Sequence, residues 1–239
     1  MTAVILAAGV ASRLQPLTAN TPKSLLPIGG KPLLQRSLET LDQCGIEKTI
    51  IVTGFLREMI EGFVASLRPA TKVEFVHNPI FDSTNNNYSL WLAGTALKGE
   101  EMVLLDADVI FHAGILRRLL DNPHPDALVL RSEGRLGAEE IKVELDAGRY
   151  VLKIGKEIDP RTAAGESVGL EKFSAATTER LFDLLGRRKS IYEFYEASFQ
   201  EMIDGGAKVA AVDSGGLPCL EIDTFEDLRA AEALAPCIE

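Results

Sequence analysis

Short apolar runs alternate with amphipathic segments along the first half of the chain, and this alternation constrains the fold more than any other feature. The apolar runs cover 2–7, 49–53, 73–76, 102–105 and 127–130. Runs of this length between turn residues are typical of buried strands. Strands that alternate with helices at this spacing form βαβ units with parallel pairing. The sequence therefore predicts an α/β fold with three layers, in which helices cover both faces of a mostly parallel sheet.

The helices that connect these strands are predicted from the spacing of their leucines and isoleucines. They are expected at 31–44, 57–67, about 88–97 and around 116–120. In the first of them Pro32 falls in the first turn, where proline is tolerated, and Gly45 follows the last turn.

The pattern changes after about residue 132. Residues 141–145 and 150–154 alternate on either side of a short glycine-containing turn, which predicts a β-hairpin. Beyond the hairpin we expect a strand at 167–173, helices at about 175–186 and 190–204, strands at 208–213 and 219–222, and a final helix from about 224. No repeat, low-complexity segment or linker interrupts the 239 residues, so we expect one domain.

Composition limits the classes of protein that fit. A hydrophobic fraction of 46% with 25% charged residues is typical of a water-soluble globular chain. The formal net charge of −10 argues against a general nucleic-acid surface, so an anionic ligand must meet a local positive patch. The three cysteines have neither metal-type nor disulfide spacing. With no signal-like start and no membrane-length apolar run, we expect a cytoplasmic protein that binds no membrane.

A turn of small residues follows the first strand. Leu6, Ala7, Ala8 and Gly9 let a ligand approach the backbone closely, and free N–H groups in such a turn bind anions. Arg13 and Lys23 follow as the first two strong cations of the chain. This arrangement supports a nucleoside triphosphate site. A plain turn with solvated cations is the alternative, and neither the P-loop motif nor G-x-G-x-x-G is present.

Two carboxylate pairs follow predicted strands. Asp106 and Asp108 end the fourth apolar run, and Glu221 and Asp223 end the last strand. Carboxylates at the carboxyl ends of strands are oxygen ligands suited to Mg²⁺. Turn or helix-cap roles are the alternative for both pairs, and Asp223 or Thr224 could cap the final helix.

The order of these motifs resembles a known superfamily. L-A-A-G-x-x-x-R-L at 6–14, then P-K-S-L-L-P-I-G-G-K-P-L-L at 22–34, is similar to the signature of the sugar-phosphate nucleotidyltransferases. The run Asn85–Leu90 resembles the N-N-x-Y-S segment of the small phosphocholine and 2-aminoethylphosphonate cytidylyltransferases. Ala11 departs from the pattern, because the family usually has a second glycine there, so a slightly altered loop is expected.

The resemblance implies a Rossmann-like fold of the nucleotide-diphospho-sugar transferase type, with a nucleotide-binding half at 1–132 and an acceptor-binding half at 133–239. It implies transfer of CMP from CTP to phosphocholine, phosphoethanolamine or 2-aminoethylphosphonate with release of pyrophosphate. One or two Mg²⁺ ions are the expected cofactors, and the oligomeric state is left open between a monomer and a homodimer.

The resemblance also assigns roles to residues. Asp108 and Asp223 are expected to hold the metal, with Glu221 as a third or water-bridging ligand. Arg13 is expected on the β- and γ-phosphates and Lys23 on the α-phosphate. The nucleotide base is expected to lie against the backbone of Leu6, Ala7, Ala8 and Gly9 and near Thr53, Gly54, Asn87 and Ser89.

The acceptor headgroup can be recognised in two ways. A quaternary ammonium group prefers aromatic faces, whereas a primary ammonium group prefers carboxylate acceptors. The segment predicted to be helical at 192–196 offers both kinds of side chain, and a role in the core is the alternative for its aromatics. The expected acceptor contacts are Tyr88, Trp91, Lys153, Lys156, Glu171, Tyr192, Glu193, Tyr195 and Glu196.

Three other functions fit parts of the pattern. A sugar 1-phosphate could replace the amino-alcohol acceptor, with UTP or dTTP as the nucleotide. A metal-dependent glycosyltransferase also uses D-x-D, but the Arg13 and Lys23 pair argues for a triphosphate instead. A catalytically silent nucleotide-binding regulator is disfavoured because all four expected catalytic residues are present.

Overall fold

The chain folds around a nine-stranded mixed sheet in the computed structural model, which describes residues 1–97, 99–134, 136–188 and 190–238. Its strands, with two short two-stranded sheets included, are β1 (Thr2–Ala7), β2 (Pro27–Ile28), β3 (Lys31–Pro32), β4 (Lys48–Thr53), β5 (Lys72–His77), β6 (Met102–Asp106), β7 (Val109–Phe111), β8 (Ala127–Arg131), β9 (Lys142–Leu145), β10 (Val151–Gly155), β11 (Gly165–Phe173), β12 (Ala210–Asp213) and β13 (Cys219–Glu221).

Helices follow most of the strands, as the alternation of the sequence predicts. They are α1 (Leu33–Gln43), α2 (Arg57–Leu67), α3 (Asn86–Leu97), α4 (Ala113–Asp121), α5 (Ala175–Arg187), α6 (Glu196–Asp204) and α7 (Phe225–Leu234). None of the helices in the described part of the chain is long and apolar enough to cross a membrane.

Parallel pairing organises the first half of the sheet. Strand β1 lies between β4 and β6 and is parallel to both, and β5 continues the sheet parallel to β4. The long strand β11 is antiparallel to β6, β8 and β9, and β12 pairs in parallel with β8. The predicted mostly parallel, mixed sheet is therefore confirmed, and β11 joins its two halves by hydrogen bonds.

The side chains of β1 alternate between the two faces of the sheet, and each face packs on a different set of helices. Ile5 packs in one cluster with Leu34, Leu38 and Leu41 of α1 and with the apolar faces of α2 and α4. Val4 packs in the other cluster with α3, α5 and α6. This three-layer arrangement is the predicted one. A third cluster beside the sheet places α7 against Leu14, Ile28 and Leu33.

Two predicted helices begin later in the structure. Helix α1 begins at Leu33, because Lys31 and Pro32 form the short strand β3 that pairs with β2. Helix α6 begins at Glu196, so the prediction of a helix from 190 was wrong for its first six residues.

The start of α3 explains why residues 190–195 are not helical. The backbone N–H of Asn85 donates to Ile191 O, and its side-chain amide donates to Tyr192 O. The N–H of Tyr195 donates in turn to the side-chain oxygen of Asn86. These bonds use backbone groups that a helix would need for its own i to i+4 pairing. The segment therefore packs as a loop on α3.

A reciprocal cap fixes the start of α7. The Thr224 hydroxyl accepts a hydrogen bond from the Asp227 N–H at 3.2 Å. The Asp227 carboxylate accepts one from the Thr224 N–H at 2.8 Å and a further one from the Asp223 N–H at 3.1 Å. This capping box satisfies N–H groups that the first turn of a helix leaves free. It also fixes the backbone of Asp223.

We expect Thr224→Ala to lower the free energy of unfolding by about 1 kcal/mol, because the Asp227 N–H loses its acceptor. Chemical denaturation measures the change. Thr95→Ala is the control, since the Thr95 hydroxyl donates to Leu92 O within α3. Equal losses in the two variants would contradict the capping role.

Candidate active site

A cleft of about 370 Å³ opens where β1 and β6 end. In an open α/β sheet the carboxyl ends of parallel strands form the ligand site, because loops diverge there on either side. The cleft is lined by residues from the turn after β1, the end of β6, the middle of β11, the start of α6 and the segment after β13.

Three carboxylates meet at one end of this cleft. One oxygen from each of Asp108, Glu221 and Asp223 lies within 4.8 Å of the others. Pairing between β7 and β13 brings them together, since Val109 lies opposite Glu221 and the Ile222 N–H donates to Asp108 O at 3.0 Å. Strand β7 is absent from the sequence prediction.

This set of carboxylates fits Mg²⁺, which prefers hard oxygen ligands. Desolvation, together with the charges of Asp108 and Asp223, raises the pKa of Glu221 to about 8. Because Glu221 as a residue is exposed, we attribute the shift mainly to the two like charges. Repulsion of this kind is relieved when a divalent cation binds between carboxylates.

Lys23 lies among the same carboxylates. Its ammonium group is 2.8 Å from Asp108 Oδ2 and 2.7 Å from Asp223 Oδ1, and the side chain is 10% exposed. Burial alone would lower the pKa of Lys23, but the charges of Asp108 and Asp223 raise it above its usual value. Lys23 is therefore a permanent cation at the point where the three acidic residues converge.

Arg13 reaches the same cluster from the turn after β1. Its guanidinium group is 2.6 Å from Asp223 Oδ2, and its side chain is 56% exposed. Although desolvation of the carboxyl group acts in the opposite direction, Lys23 and then Arg13 hold the pKa of Asp223 below its usual range. The site thus keeps Asp223 ionised.

Ala11, where the chain departs from the family pattern, has an unusual backbone conformation. Ala11 adopts a left-handed backbone with φ of 52°, a region in which glycine carries no steric cost. Thr18 donates its hydroxyl to Ala11 O at 2.8 Å and supports this conformation. The loop therefore has a left-handed residue at this position although it lacks the glycine.

A second acidic group forms the opposite wall of the cleft. The Tyr195 hydroxyl donates to Asp106 Oδ2 at 2.8 Å, and Tyr195 is 1% exposed. Gly169 allows this carboxylate to approach β11, because a Cβ at that position would lie 2.7 Å from Asp106 Oδ2. Burial and then the charge of Asp108 raise the pKa of Asp106 well above its usual value.

Glu171 and Glu196 complete this wall. Glu196 lines the cleft, and Glu171 lies behind it on β11, where it accepts a hydrogen bond from Ser167 at 3.1 Å. Burial raises the pKa of Glu196 to about 7. Burial and the charge of Glu196 raise that of Glu171 to about 8.

The residues expected at the base divide into two groups. Leu6, Ala7, Ala8, Gly9 and Ser89 line the cleft, whereas Thr53, Gly54 and Asn87 do not. Asn87 is buried and its amide donates to Ser190 O at 3.2 Å. Asn78 was not expected near the site. It does not line the cleft, but its amide donates to Ser89 Oγ at 3.1 Å. Its only signal in the sequence is a polar residue directly after β5.

Several residues expected at the acceptor lie outside the cleft. They are Tyr88, Trp91, Lys153, Tyr192 and Glu193. The rings of Tyr88 and Trp91 pack on each other 5.5 Å apart, and Tyr192 is 68% exposed. Lys153 pairs with Glu144 at 3.0 Å, and Glu193 pairs with Arg188 at 2.9 Å.

Lys156, Tyr195 and Glu196 do line the cleft. The Lys156 ammonium group lies 4.9 Å from the centre of the Phe194 ring and 3.2 Å from Glu139. Phe194, from the segment at 192–196 that was expected to recognise the headgroup, lines the cleft as well, and so does Glu139, which was not expected there. Both come from loops, whose positions the sequence pattern does not define.

The fold and this cleft define an enzyme of the nucleotidyltransferase class. A family profile described as the MobA-like NTP transferase domain matches residues 3–202, and the chain belongs to that family.

Individual relatives cover almost the whole chain. It is 27% identical over 248 residues to the choline-phosphate cytidylyltransferase of Streptococcus pneumoniae, with 98% of both chains covered. It is 29% identical over 248 residues to the CMP-5'-(3-aminopropyl)phosphonate synthase of Streptomyces rubellomurinus, covering 96% of this chain and 38% of that protein. The inositol-1-phosphate CTP transferase structure from T. maritima has the same fold, with a TM-score of 0.84 at 22% identity over 100% of this chain and 96% of that one.

The raised pKa of Glu171 has a consequence for stability. Between its ordinary value of 4.5 and about 8, the folded protein binds more protons at this carboxyl group than the unfolded chain does. Stability therefore falls as the pH rises through this range. We expect the free energy of unfolding of Glu171→Gln to fall less with pH than that of the wild type. At about pH 8 it should be higher than the wild-type value by on the order of a few kcal/mol.

Denaturant unfolding at several pH values measures this difference. Glu193→Gln is the matched control, since Glu193 lies outside the cleft in an ion pair with Arg188. The buried position of Glu171 would be contradicted if both variants followed the wild-type dependence on pH.

Proposed function

We propose that this enzyme transfers CMP from CTP to a small phosphorylated or phosphonylated amino compound and releases pyrophosphate. The observation that carries the proposal is the convergence of Lys23 and Arg13 on Asp108 and Asp223 beside the turn after β1. The two relatives from Streptococcus and Streptomyces support CTP as the nucleotide, because the name of each contains the cytidylyl or CMP group.

The reaction forms one bond and breaks one bond at the α-phosphorus. An oxygen of the acceptor phosphate or phosphonate attacks this atom, and the bond between the α-phosphorus and the bridging oxygen to the β-phosphate breaks. The acceptor oxygen is already anionic near neutral pH, so no general base is required. Catalysis then consists of positioning and of neutralising charge.

The two cations of the site are suited to this task. Lys23 is held in the floor of the cleft and would contact the α-phosphate, where negative charge increases during the reaction. Arg13 is more exposed and would contact the β- and γ-phosphates with its planar group of donors. In the free enzyme both cations bond to carboxylates, so nucleotide binding exchanges these partners for phosphate oxygens.

The carboxylates complete the arrangement. Asp108 and Asp223, with Glu221 as a third or water-bridging ligand, would hold Mg²⁺, which supplies positive charge against the phosphate oxygens. The capping box at Thr224 orients Asp223, and the pairing of β7 with β13 orients Asp108.

Release of pyrophosphate tests the proposal directly. We expect release with Mg²⁺, CTP and at least one of phosphocholine, phosphoethanolamine and 2-aminoethylphosphonate. Efficient release with a hexose 1-phosphate and UTP or dTTP would overturn the acceptor class. Release of a nucleoside diphosphate from a nucleotide sugar would overturn the reaction.

Asp108 provides a second test. We expect Asp108→Ala to abolish pyrophosphate release, because it removes both a metal ligand and a partner of Lys23. The circular dichroism spectrum is expected to stay that of the wild type, since the Asp108 backbone keeps its bond to Ile222. Asp82→Ala is the control on an exposed aspartate outside the cleft. Near-normal activity of Asp108→Ala would refute the metal assignment.

A further inference from the structure

Two buried carboxylates in the second wall of the cleft have an oxygen without a partner. Glu171 is 1% exposed and Glu196 is 7% exposed. Glu171 Oε2 and Glu196 Oε2 lack any hydrogen-bond donor among the described residues. A buried polar atom in this state costs about 1–3 kcal/mol, and more when it is charged. The wall is therefore incomplete without a donor from a ligand.

Glu196 is placed so that a donor bound in the cleft could reach it. Glu196 lines the cavity, as do Ser167 and Asp106 beside it. Glu171 lies behind Glu196 and contributes its charge. Its Oε1 accepts a hydrogen bond from the Ser167 hydroxyl at 3.1 Å. A cation in the cleft would thus meet one carboxylate directly and a second carboxylate through its charge.

The aromatic rings of the residues expected at the acceptor, and that of Phe194, do not form a cage for a cation. The Tyr195 ring packs on Phe199 with centroids 4.9 Å apart, and its hydroxyl is donated to Asp106. The Phe194 ring already faces the ammonium group of Lys156 at 4.9 Å. Trp91 and Tyr88 pack together outside the cleft. These rings offer no cluster of free faces of the kind that binds a trimethylammonium group.

Lys156 places a positive charge between the two acidic ends of the cleft. Its charge lowers the pKa of Glu196 at one end and that of Asp223 at the other, although burial is the larger influence on both carboxyl groups and raises their pKa. An acceptor whose anionic end contacts Lys156 near the metal ligands would extend its other end toward Glu196. The cleft is thus polarised for a short molecule with a negative and a positive end.

We propose that the acceptor carries a primary ammonium group, which donates hydrogen bonds to Glu196 and is held by the buried charge of Glu171, and that a trimethylammonium group is selected against. This proposal rests on the proposed cytidylyl transfer and names its acceptor class. A primary ammonium group has three N–H donors, whereas a trimethylammonium group has none. Methylation would keep the charge and leave the buried oxygen of Glu196 without a donor.

The raised pKa values of Glu171 and Glu196 agree with this chemistry. Burial outweighs the charge of Lys156 at Glu196, and burial and the charge of Glu196 raise the pKa of Glu171. An ammonium group in the cleft would favour the ionised form of both carboxyl groups. A site built to hydrogen-bond a ligand strongly rejects an analogue that lacks the donors. It rejects an analogue that differs only in size less strongly.

Three acceptors that share the same phosphate and two-carbon unit test the proposal. They are phosphoethanolamine with a primary amine, phosphocholine with three N-methyl groups, and ethyl phosphate with no nitrogen. We expect kcat/KM for phosphoethanolamine to exceed the values for the other two by about tenfold or more. An equal or higher value for phosphocholine would overturn the proposal.

Two isosteric variants show whether the wall provides this selectivity. We expect Glu196→Gln and Glu171→Gln each to raise KM for phosphoethanolamine about tenfold, to change it little for ethyl phosphate, and to leave KM for CTP unchanged. Glu193→Gln is the matched control, because that carboxylate lies outside the cleft and pairs with Arg188. An unchanged preference in both wall variants would refute the assignment.

Calorimetric titration separates this inference from the proposed function. Binding of phosphoethanolamine, but not of ethyl phosphate, that weakens in Glu196→Gln is expected even where no pyrophosphate is released. Cytidylyl transfer that prefers phosphocholine would refute the amine assignment alone. Amine binding without CTP-dependent pyrophosphate release would refute the proposed reaction alone.

Discussion

Repulsion between carboxylates at the carboxyl end of the sheet is the constraint on which the rest of the site depends. One carboxylate oxygen each of Asp108, Glu221 and Asp223 lies within 4.8 Å of the others, which would be costly without nearby positive charge. Lys23 and Arg13 supply that charge in the free enzyme. The turn after β1 therefore has two roles. It forms the floor of the cleft, and it positions Arg13, which stabilises the acidic cluster in the folded protein.

Local sequence pattern was enough to predict the strands of the sheet, since a buried strand is recognised from its own apolar residues. Contacts between distant segments were not predictable in this way. Strand β7 is three residues long and depends on β13, more than a hundred residues later. The loop at 190–195 has a helical pattern but bonds instead to the start of α3. In both places a partner far along the chain decides the local structure.

The same distinction applies to the site. The cations and the three carboxylates predicted at the metal lie together. The carboxylates lie at or just after the ends of β6 and β13, where the sequence pattern locates them well. The acceptor residues were harder to predict, since aromatic and acidic side chains in one segment diverge once a loop replaces the helix. Tyr192 points into solvent while Tyr195 is buried three residues later. Only the path of the backbone distinguishes them.

The role proposed for Glu171 would link acceptor choice to the architecture of the protein. Glu171 lies in β11, the strand that hydrogen-bonds to three neighbours and joins the two halves of the sheet. A substitution of Glu171 that changed the preferred headgroup would alter a carboxyl group in the centre of the fold. It would not be confined to a surface loop, where substitutions are tolerated more easily. Divergence toward new acceptors along this route would therefore require compensating changes in core packing, which slows the evolution of specificity at this wall.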